Sequence, residues 1–267
     1  MTISNNINNY QIDNSASNIL EKVAAGLEIN KASDNPSALA IADQLRLQSN
    51  SISQSIENVN SGIALANIAD SGLTQQKTIL ENIQSEILKA NNGTLNEVDR
   101  NNIANQIDRY IDQFNSIADQ TNYNGKNLLT STGDETLDDL SISMEDSLVE
   151  LSSVDTKSIT NSLSSFLEQF ATDSDTRDNM LNALNDSISQ LNSYQSDFAS
   201  ASNQLESTIN NYLSAQTNIS NGESQIRDLN YSSILETFSK ADIQAQLGSF
   251  IQSQANASSA RIMQLLS

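Results

Sequence analysis

Apolar residues recur every seven positions along two long stretches of the chain. In the N-terminal half the series runs Leu45, Ile52, Val59, Ala66, Leu73, Leu80 and Ile87. A companion line at Ile56, Ile63, Asp70 and Lys77 is half apolar and half polar. In the C-terminal half the series is Leu184, Leu191, Phe198, Leu205, Tyr212, Ile219 and Ile226, with Leu181, Ile188, Gln195, Ser202, Ile209, Gln216 and Glu223 beside it. Spacing of seven sustained over this length predicts two coiled-coil helices, each roughly 70 Å long at the α-helical rise. A helix with a single apolar stripe needs a partner. Two such helices in one chain supply each other by folding back antiparallel.

Start and stop signals bound these helices. Asn35-Pro36 offers a capping side chain and a first-turn proline before the first long helix, and Asn92-Gly93 ends it. Thr94-Leu95-Asn96-Glu97 has the form of a capping box for a shorter helix, with Ile103, Ile107, Tyr110, Phe114 and Ile117 on one face. Asn124-Gly125 reads as a turn. From 130 to 175 the chain is acidic and rich in Ser and Thr. Two short β-like runs, Leu140–Met144 and Leu148–Val154, predict a hairpin there. A helical piece around Phe166–Phe170 and a loop over Thr172–Asp178 follow. At the C-terminus a weakly apolar seam runs through Ile234, Phe238, Ala241, Ala245, Gly248, Gln252, Ala255, Ser259, Ile262 and Leu266. Its small residues admit another helix closely but bury little area, so both chain ends are expected to order only on assembly.

The pattern sets the fold class: mainly α, with long antiparallel coiled-coil helices pairing the N- and C-terminal halves and a small β-hairpin region. The expected organisation is an N-terminal arm over 1–36, the first half of the coiled-coil domain over 37–130, and a short variable acidic region over 131–177. The second half of the coiled coil covers 178–226 and a C-terminal arm 227–267. A single proline and eight glycines in 267 residues leave little punctuation, which fits long helices better than a sandwich or an α/β fold.

Charge and chemistry narrow the function. Thirteen basic against thirty-three acidic residues repel phosphate backbones and anionic lipid, so neither nucleic acid nor a membrane is an expected partner. Histidine and cysteine are absent, which excludes thiolate nucleophiles, Ser-His triads and metal-bound His pairs. Asp173, Asp175 and Asp178 alternate faintly like a calcium loop but lack its glycine and terminal glutamate, so they read as an acidic surface turn. No catalytic, cofactor or metal site is expected, and no enzyme. The first residues, Met1 to Asn6, have neither the basic nor the apolar region of a signal peptide. No stretch approaches the roughly 18 uninterrupted apolar residues of a membrane span. The expectation is a chain that is cytosolic or leaves the cell without a cleaved signal peptide.

Several motifs, in order and in register, resemble the bacterial flagellin family. They are Ala25-Gly26-Leu27-Glu28-Ile29-Asn30, Ser33-Asp34-Asn35-Pro36, Ala38-Leu39-Ala40-Ile41-Ala42-Asp43 and Asn60-Ser61-Gly62-Ile63-Ala64-Leu65-Ala66. Gln120-Thr121-Asn122-Tyr123-Asn124-Gly125-Lys126, Glu223-Ser224-Gln225-Ile226-Arg227-Asp228-Leu229-Asn230-Tyr231 and Ile251-Gln252-Ser253-Gln254-Ala255-Asn256 continue the match, as does the ending Leu265-Leu266. The resemblance covers about residues 20–130 and 180–267. It is to a short form without large outer domains, since 131–177 has no room for one.

The resemblance implies a structural filament subunit that is extracellular, exported by the flagellar type III apparatus and self-assembling for motility. Its expected partners are copies of itself, an export chaperone, and filament cap and hook-junction proteins. The alternative is a secreted flagellin-like or hook–filament junction protein that is not the major subunit. The resemblance also implies an inner shaft of paired terminal helices and a spoke near 27–36. Stimulatory flagellins present two arginines and a leucine on the first long helix, and a glutamate on the next, to the vertebrate flagellin-sensing Toll-like receptor. The matching positions here are Asn82, Gln84, Glu86 and Gln106, all departures from that set.

Overall fold

The computed structural model describes residues 17–130, 141–143, 148–150 and 154–266. Helical residues 17–25 (α1) lead to a loop and then to α2, Pro36–Ala90. Next come α3, Glu97–Gln120, and two short antiparallel strand pairs: β1 (Asn122–Tyr123) with β2 (Lys126–Asn127), and β3 (Ser141–Ser143) with β4 (Leu148–Glu150). Helix α4, Lys157–Ser164, a series of turns, and the long helices α5, Ser174–Arg227, and α6, Tyr231–Leu266, complete the chain. It divides into two compact units. One holds Met1–Asn50 and Ala215–Ser267; the other holds Ser51–Ser214.

The two longest helices are those read from the heptads, of 55 and 54 residues. Asn35 caps α2 as its sequence suggests, the Asn35 side-chain oxygen accepting the Ala38 N–H at 3.1 Å. Other boundaries differ from the sequence reading. Thr94 and Glu97 do not form a capping box. Asn96 caps α3 instead, accepting the Asp99 N–H at 2.8 Å, while the Thr94 hydroxyl turns back to Asn92. Asn124-Gly125 is the tip of the β1–β2 hairpin, and positive φ at both residues (52° and 81°) makes it the primed turn that matches strand twist. The run Phe166–Phe170 lies in turns after α4 rather than in a helix. Thr172–Asp178 is not a loop throughout, because α5 already begins at Ser174. Asp173 starts it by accepting the Asp175 and Thr176 N–H groups at 3.2 and 3.0 Å and the Thr176 hydroxyl at 2.5 Å.

The unit of Ser51–Ser214 contains the main core. On α2 the buried line is Ile52, Val59, Ala66, Leu73, Leu80 and Ile87, as the heptads predict. Its buried companion lies three residues further on, through Ser55, Gly62, Ala69, Gln76, Ile83 and Ala90. The companion line expected from sequence, Ile56, Ile63, Asp70 and Lys77, is only half-buried. The reason is that α2 has neighbours on two sides. Asp70 and Lys77 meet polar groups of α5, while Gly62 and Gly72 lie under other elements. A Cβ on Gly62 would fall 2.0 Å from Ile142 of β3, and one on Gly72 would fall 2.6 Å from the Thr121 hydroxyl.

A buried polar node ties these layers together. The Gln76 amide donates to the Phe114 carbonyl at 3.2 Å and to the Thr156 hydroxyl at 2.9 Å. That hydroxyl and the Thr156 N–H both donate to the Leu129 carbonyl. The connection out of β2 and the entry to α4 are thereby fixed against α2 and α3. Lys157 with Asp119 at 2.7 Å and Thr160 with Asn115 at 2.7 Å continue the join between α3 and α4. At the far end of α2, Arg100 donates to the Ala90 carbonyl at 3.1 Å and buried Arg177 to the Asn91 side chain at 2.9 Å. Both place positive charge where the helix dipole ends negative.

Candidate assembly surface

The sequence-predicted seam residues of Ser51–Ser214 separate by burial. Ile52, Val59, Leu73, Leu80, Ile87, Leu184, Leu191, Phe198 and Leu205 are buried, and Tyr212 is half-buried against the same core. Along the flank of that seam runs a ladder of polar contacts between α2 and α5. Gln195 donates to Asp70 at 3.2 Å and to Thr74 at 2.9 Å, Lys77 donates to Asn192 at 2.8 Å, and Gln84 donates to Asn185 at 2.9 Å. Asn91 with Asp178 at 3.1 Å is the last rung.

The positions matched to receptor-facing residues belong to this same unit. Asn82 is exposed, while Gln84, Glu86 and Gln106 are half-buried. Gln84 is occupied by Asn185. Glu86 accepts from Lys89 at 2.8 Å, and Gln106 accepts from Arg109 at 2.6 Å.

The unit of Met1–Asn50 and Ala215–Ser267 is built differently. Leu45, Ile219 and Ile226 are only half-buried there. Among the described residues its buried apolar side chains are few and scattered: Ile19, Ile29, Ala42, Leu229 and Ala241. The break between α5 and α6 is pinned by the loop after α1. Glu28 N–H donates to the Arg227 carbonyl at 2.8 Å, Leu229 N–H to the Gly26 carbonyl at 3.2 Å, and Leu27 bridges Asp228 antiparallel. Gly26 makes the turn with φ at 69°, a conformation costly for a residue with a Cβ. Asp34 closes the same loop, its carboxylate accepting the Lys31 and Asn30 N–H groups at 3.0 and 3.1 Å. Those bonds, that from Lys31 foremost, hold its pKa below the ordinary 3.8.

Helix α6 carries the expected shaft residues, and they fall into two groups. Ile234, Phe238, Ala245 and Gly248 are half-buried and Ala241 is buried, so this line is the partly covered face. Ala255 and Ile262 are exposed, and the Leu266 side chain lies outside the described set. Sequence reasoning missed a second apolar line on roughly the opposite face. Leu235, Ile243, Leu247, Phe250 and Ile251 are each 54% exposed or more. The spacing of Ile243, Leu247, Phe250 and Ile251 at four, seven and eight was the available signal. Among the described residues no group of His, Cys, Asp and Glu is placed to hold a metal ion. Among them, too, no helix is long and apolar enough to cross a membrane.

Long paired helices, a pinned loop at the α5–α6 break and a last helix with an apolar face left open among the described residues therefore stand in one chain. Residues 1–134 match the model of the bacterial flagellin N-terminal helical region, and residues 181–266 that of the bacterial flagellin C-terminal helical region. The chain belongs to the bacterial flagellin family. It is 28% identical to the flagellin of Bacillus subtilis, with 98% of this chain and 96% of that one covered. It is 24% identical to a flagellar filament 31.3 kDa core protein of Treponema maltophilum, covering 92% and 91% of the two chains. The crystal structure of Bacillus cereus flagellin superposes with a TM-score of 0.52 at 26% identity, over 58% of this flagellin and 88% of the other. The long helices and small antiparallel strand pairs are thus a flagellin fold.

Proposed function

We propose that this chain polymerises through α6, whose apolar residues occupy two faces although the described residues of its unit cover only one. As a member of the flagellin family over nearly its whole length, the chain is a structural subunit of the flagellar filament. What is proposed is the surface that joins the subunits. A helix apolar on opposite faces is stable in water only when both are covered. The half-buried line of Ile234, Phe238, Ala241, Ala245 and Gly248 has its cover within the unit. The exposed line of Leu235, Ile243, Leu247, Phe250 and Ile251 has none among the described residues, and further copies of the chain supply it.

The finer setting of this proposal rests on the family resemblance. The subunit passes through the flagellar type III apparatus, held by a chaperone at its C-terminal arm. It joins the filament beneath a cap and beyond the hook-junction proteins, outside the cell. The 27–36 loop acts as the spoke, and Ala255, Ile262 and Leu266 extend the shaft contact.

The test is the double variant Leu247→Glu, Phe250→Glu, with Ser253→Glu as a control that adds charge to an exposed position of α6 beside the Ile243–Ile251 stripe rather than on it. The expected outcome is unchanged helicity of Ser51–Ser214 and no filaments by negative-stain microscopy, while the control assembles. Filaments formed by the double variant as readily as by the parent would rule out this face.

A further inference from the structure

We infer that Asn92 is a self-modification site: its side-chain amide is lost by attack of the Gly93 backbone nitrogen, leaving aspartate or isoaspartate in the loop between α2 and α3. Ring closure at an Asn-Gly step needs a reachable backbone nitrogen, little steric hindrance at the following residue, and stabilisation of the oxyanion that forms on the side-chain carbonyl.

The loop provides all three. Gly93 lies outside the helices, and among the described residues no hydrogen bond occupies its N–H. A Cβ placed on Gly93 would meet nothing within 4 Å, so the step is open to solvent on that side. The Asn92 side-chain oxygen accepts two donors, the Thr94 N–H at 3.1 Å and the Thr94 hydroxyl at 3.0 Å. Donors already aimed at an oxygen that becomes negative in the transition state lower the barrier without further reorganisation. The attacking nitrogen and the carbonyl carbon belong to adjacent residues, so no encounter is needed.

In the reaction the Gly93 nitrogen gives its proton to water and bonds to the Asn92 Cγ. The Cγ–Nδ2 bond breaks, and the nitrogen leaves as ammonia after taking up a proton. Water then opens the cyclic imide at one carbonyl or the other. The net change is addition of one water and loss of one ammonia, with no redox step. Opening at one carbonyl adds a carboxylate beside the Arg100 guanidinium, which donates to the Asn92 backbone carbonyl at 3.4 Å. Opening at the other puts an extra backbone atom into the turn that the Leu95 N–H closes onto that same carbonyl at 3.2 Å.

Two other Asn-Gly steps serve as internal comparisons. Asn221-Gly222 lies inside α5, where the backbone ladder engages the glycine N–H. Asn124-Gly125 is exposed at the hairpin tip, but among the described residues no donor meets the Asn124 side-chain oxygen.

The experiment is incubation of the full chain at mildly alkaline pH, followed by peptide mapping and enzymatic detection of isoaspartate at each step. Asn92 is expected to convert several-fold faster than Asn124, and Asn221 to remain an amide. Thr94→Val, which removes the hydroxyl donor, should slow Asn92 several-fold while leaving Asn124 unchanged. Gly93→Ala is sterically free in the folded loop, so it should suppress conversion with no change in thermal unfolding. Conversion of Asn124 at or above the rate of Asn92, or no effect of either variant, would overturn the assignment.

Discussion

Lys77 on α2 donates to Asn192 on α5 at 2.8 Å, and the pairs Gln84–Asn185 and Asn91–Asp178 repeat that relationship one and two heptads along. Each step of seven up α2 is matched by a step of seven down α5, which is what an antiparallel pair in fixed register requires. A shift of four residues would set Lys77 and Gln84 against Ile188 and Leu181, leaving polar groups without partners. The ladder therefore discriminates between registers that the leucine and isoleucine seam alone would separate poorly.

Specificity of this kind does not require large stability. Exposed side-chain pairs contribute little, so Asn192→Ala and Gln84→Ala are each expected to cost less than about 1 kcal/mol. Having no shared partner, they should add to within about 0.5 kcal/mol. Urea unfolding of the two single variants and the double variant checks both statements. A loss above about 3 kcal/mol from either single change would mean that the ladder, not the seam, holds the helices together.

Gly72 runs against helix propensity for a packing reason. Replacing a glycine in a helix by alanine ordinarily gains about 1 kcal/mol. Here the new Cβ would press on the Thr121 hydroxyl at 2.6 Å and on Leu129 at 2.8 Å. The Thr121 hydroxyl is not free to retreat, since it donates to the Ile117 carbonyl at 2.7 Å. Overpacking costs typically about 1–3 kcal/mol, so Gly72→Ala should lower stability by about 1 kcal/mol net. A rise in Tm would show that the α2–α3 contact yields more easily than this packing allows.

Much of this was legible in the sequence, and the failures have physical causes. Heptads such as Leu73–Leu80–Ile87 are a long-range periodic signal that no local interaction cancels. Gln76 was invisible because a polar residue at a seam-adjacent position reads as surface. Only the folded chain brings the Phe114 carbonyl and Thr156 to it. Phe166 and Phe170 have helical spacing, but the turns there let Phe170 enter the core and its carbonyl accept from Arg177 at 2.8 Å. On α6 the sequence displayed both apolar lines, and only burial distinguishes the one its unit covers from the one it leaves open.

The start of α5 should be acid-sensitive. The Thr176 hydroxyl bond, followed by the Asp175 and Thr176 N–H groups and the Arg177 charge, holds the Asp173 carboxyl below its ordinary value of 3.8. A carboxyl depressed on folding stabilises the folded form fully above its unfolded pKa, and the contribution disappears as pH falls through the folded one. Protection of the Asp175 and Thr176 amides against hydrogen exchange should therefore be constant near neutrality and weaken only below about pH 4. Asp173→Asn should abolish that pH dependence. Unchanged protection of these amides down through the acid range would show that the helix start does not rely on the charged cap.

The surface around Asn82 carries an expectation about immune detection. By the family resemblance, stimulatory flagellins offer the flagellin-sensing Toll-like receptor two arginines, a leucine and a glutamate where this chain has Asn82, Gln84, Glu86 and Gln106. Amides cannot supply the charged planar fork of arginine. The side chains present are also already engaged: Gln84 with Asn185, Glu86 with Lys89 and Gln106 with Arg109. A receptor would have to displace those contacts before making its own, and Glu86 would place a charge where an apolar anchor is needed. Loss of a central anchor commonly costs about 2 kcal/mol or more, so activation of receptor-reporter cells by endotoxin-free monomer should fall well below that of a stimulatory flagellin. Restoring Asn82→Arg, Gln84→Arg, Glu86→Leu and Gln106→Glu together should raise it. Activation by the unaltered chain comparable to the stimulatory protein would mean that the receptor reads another face, or that the register across 82–106 differs from the family's.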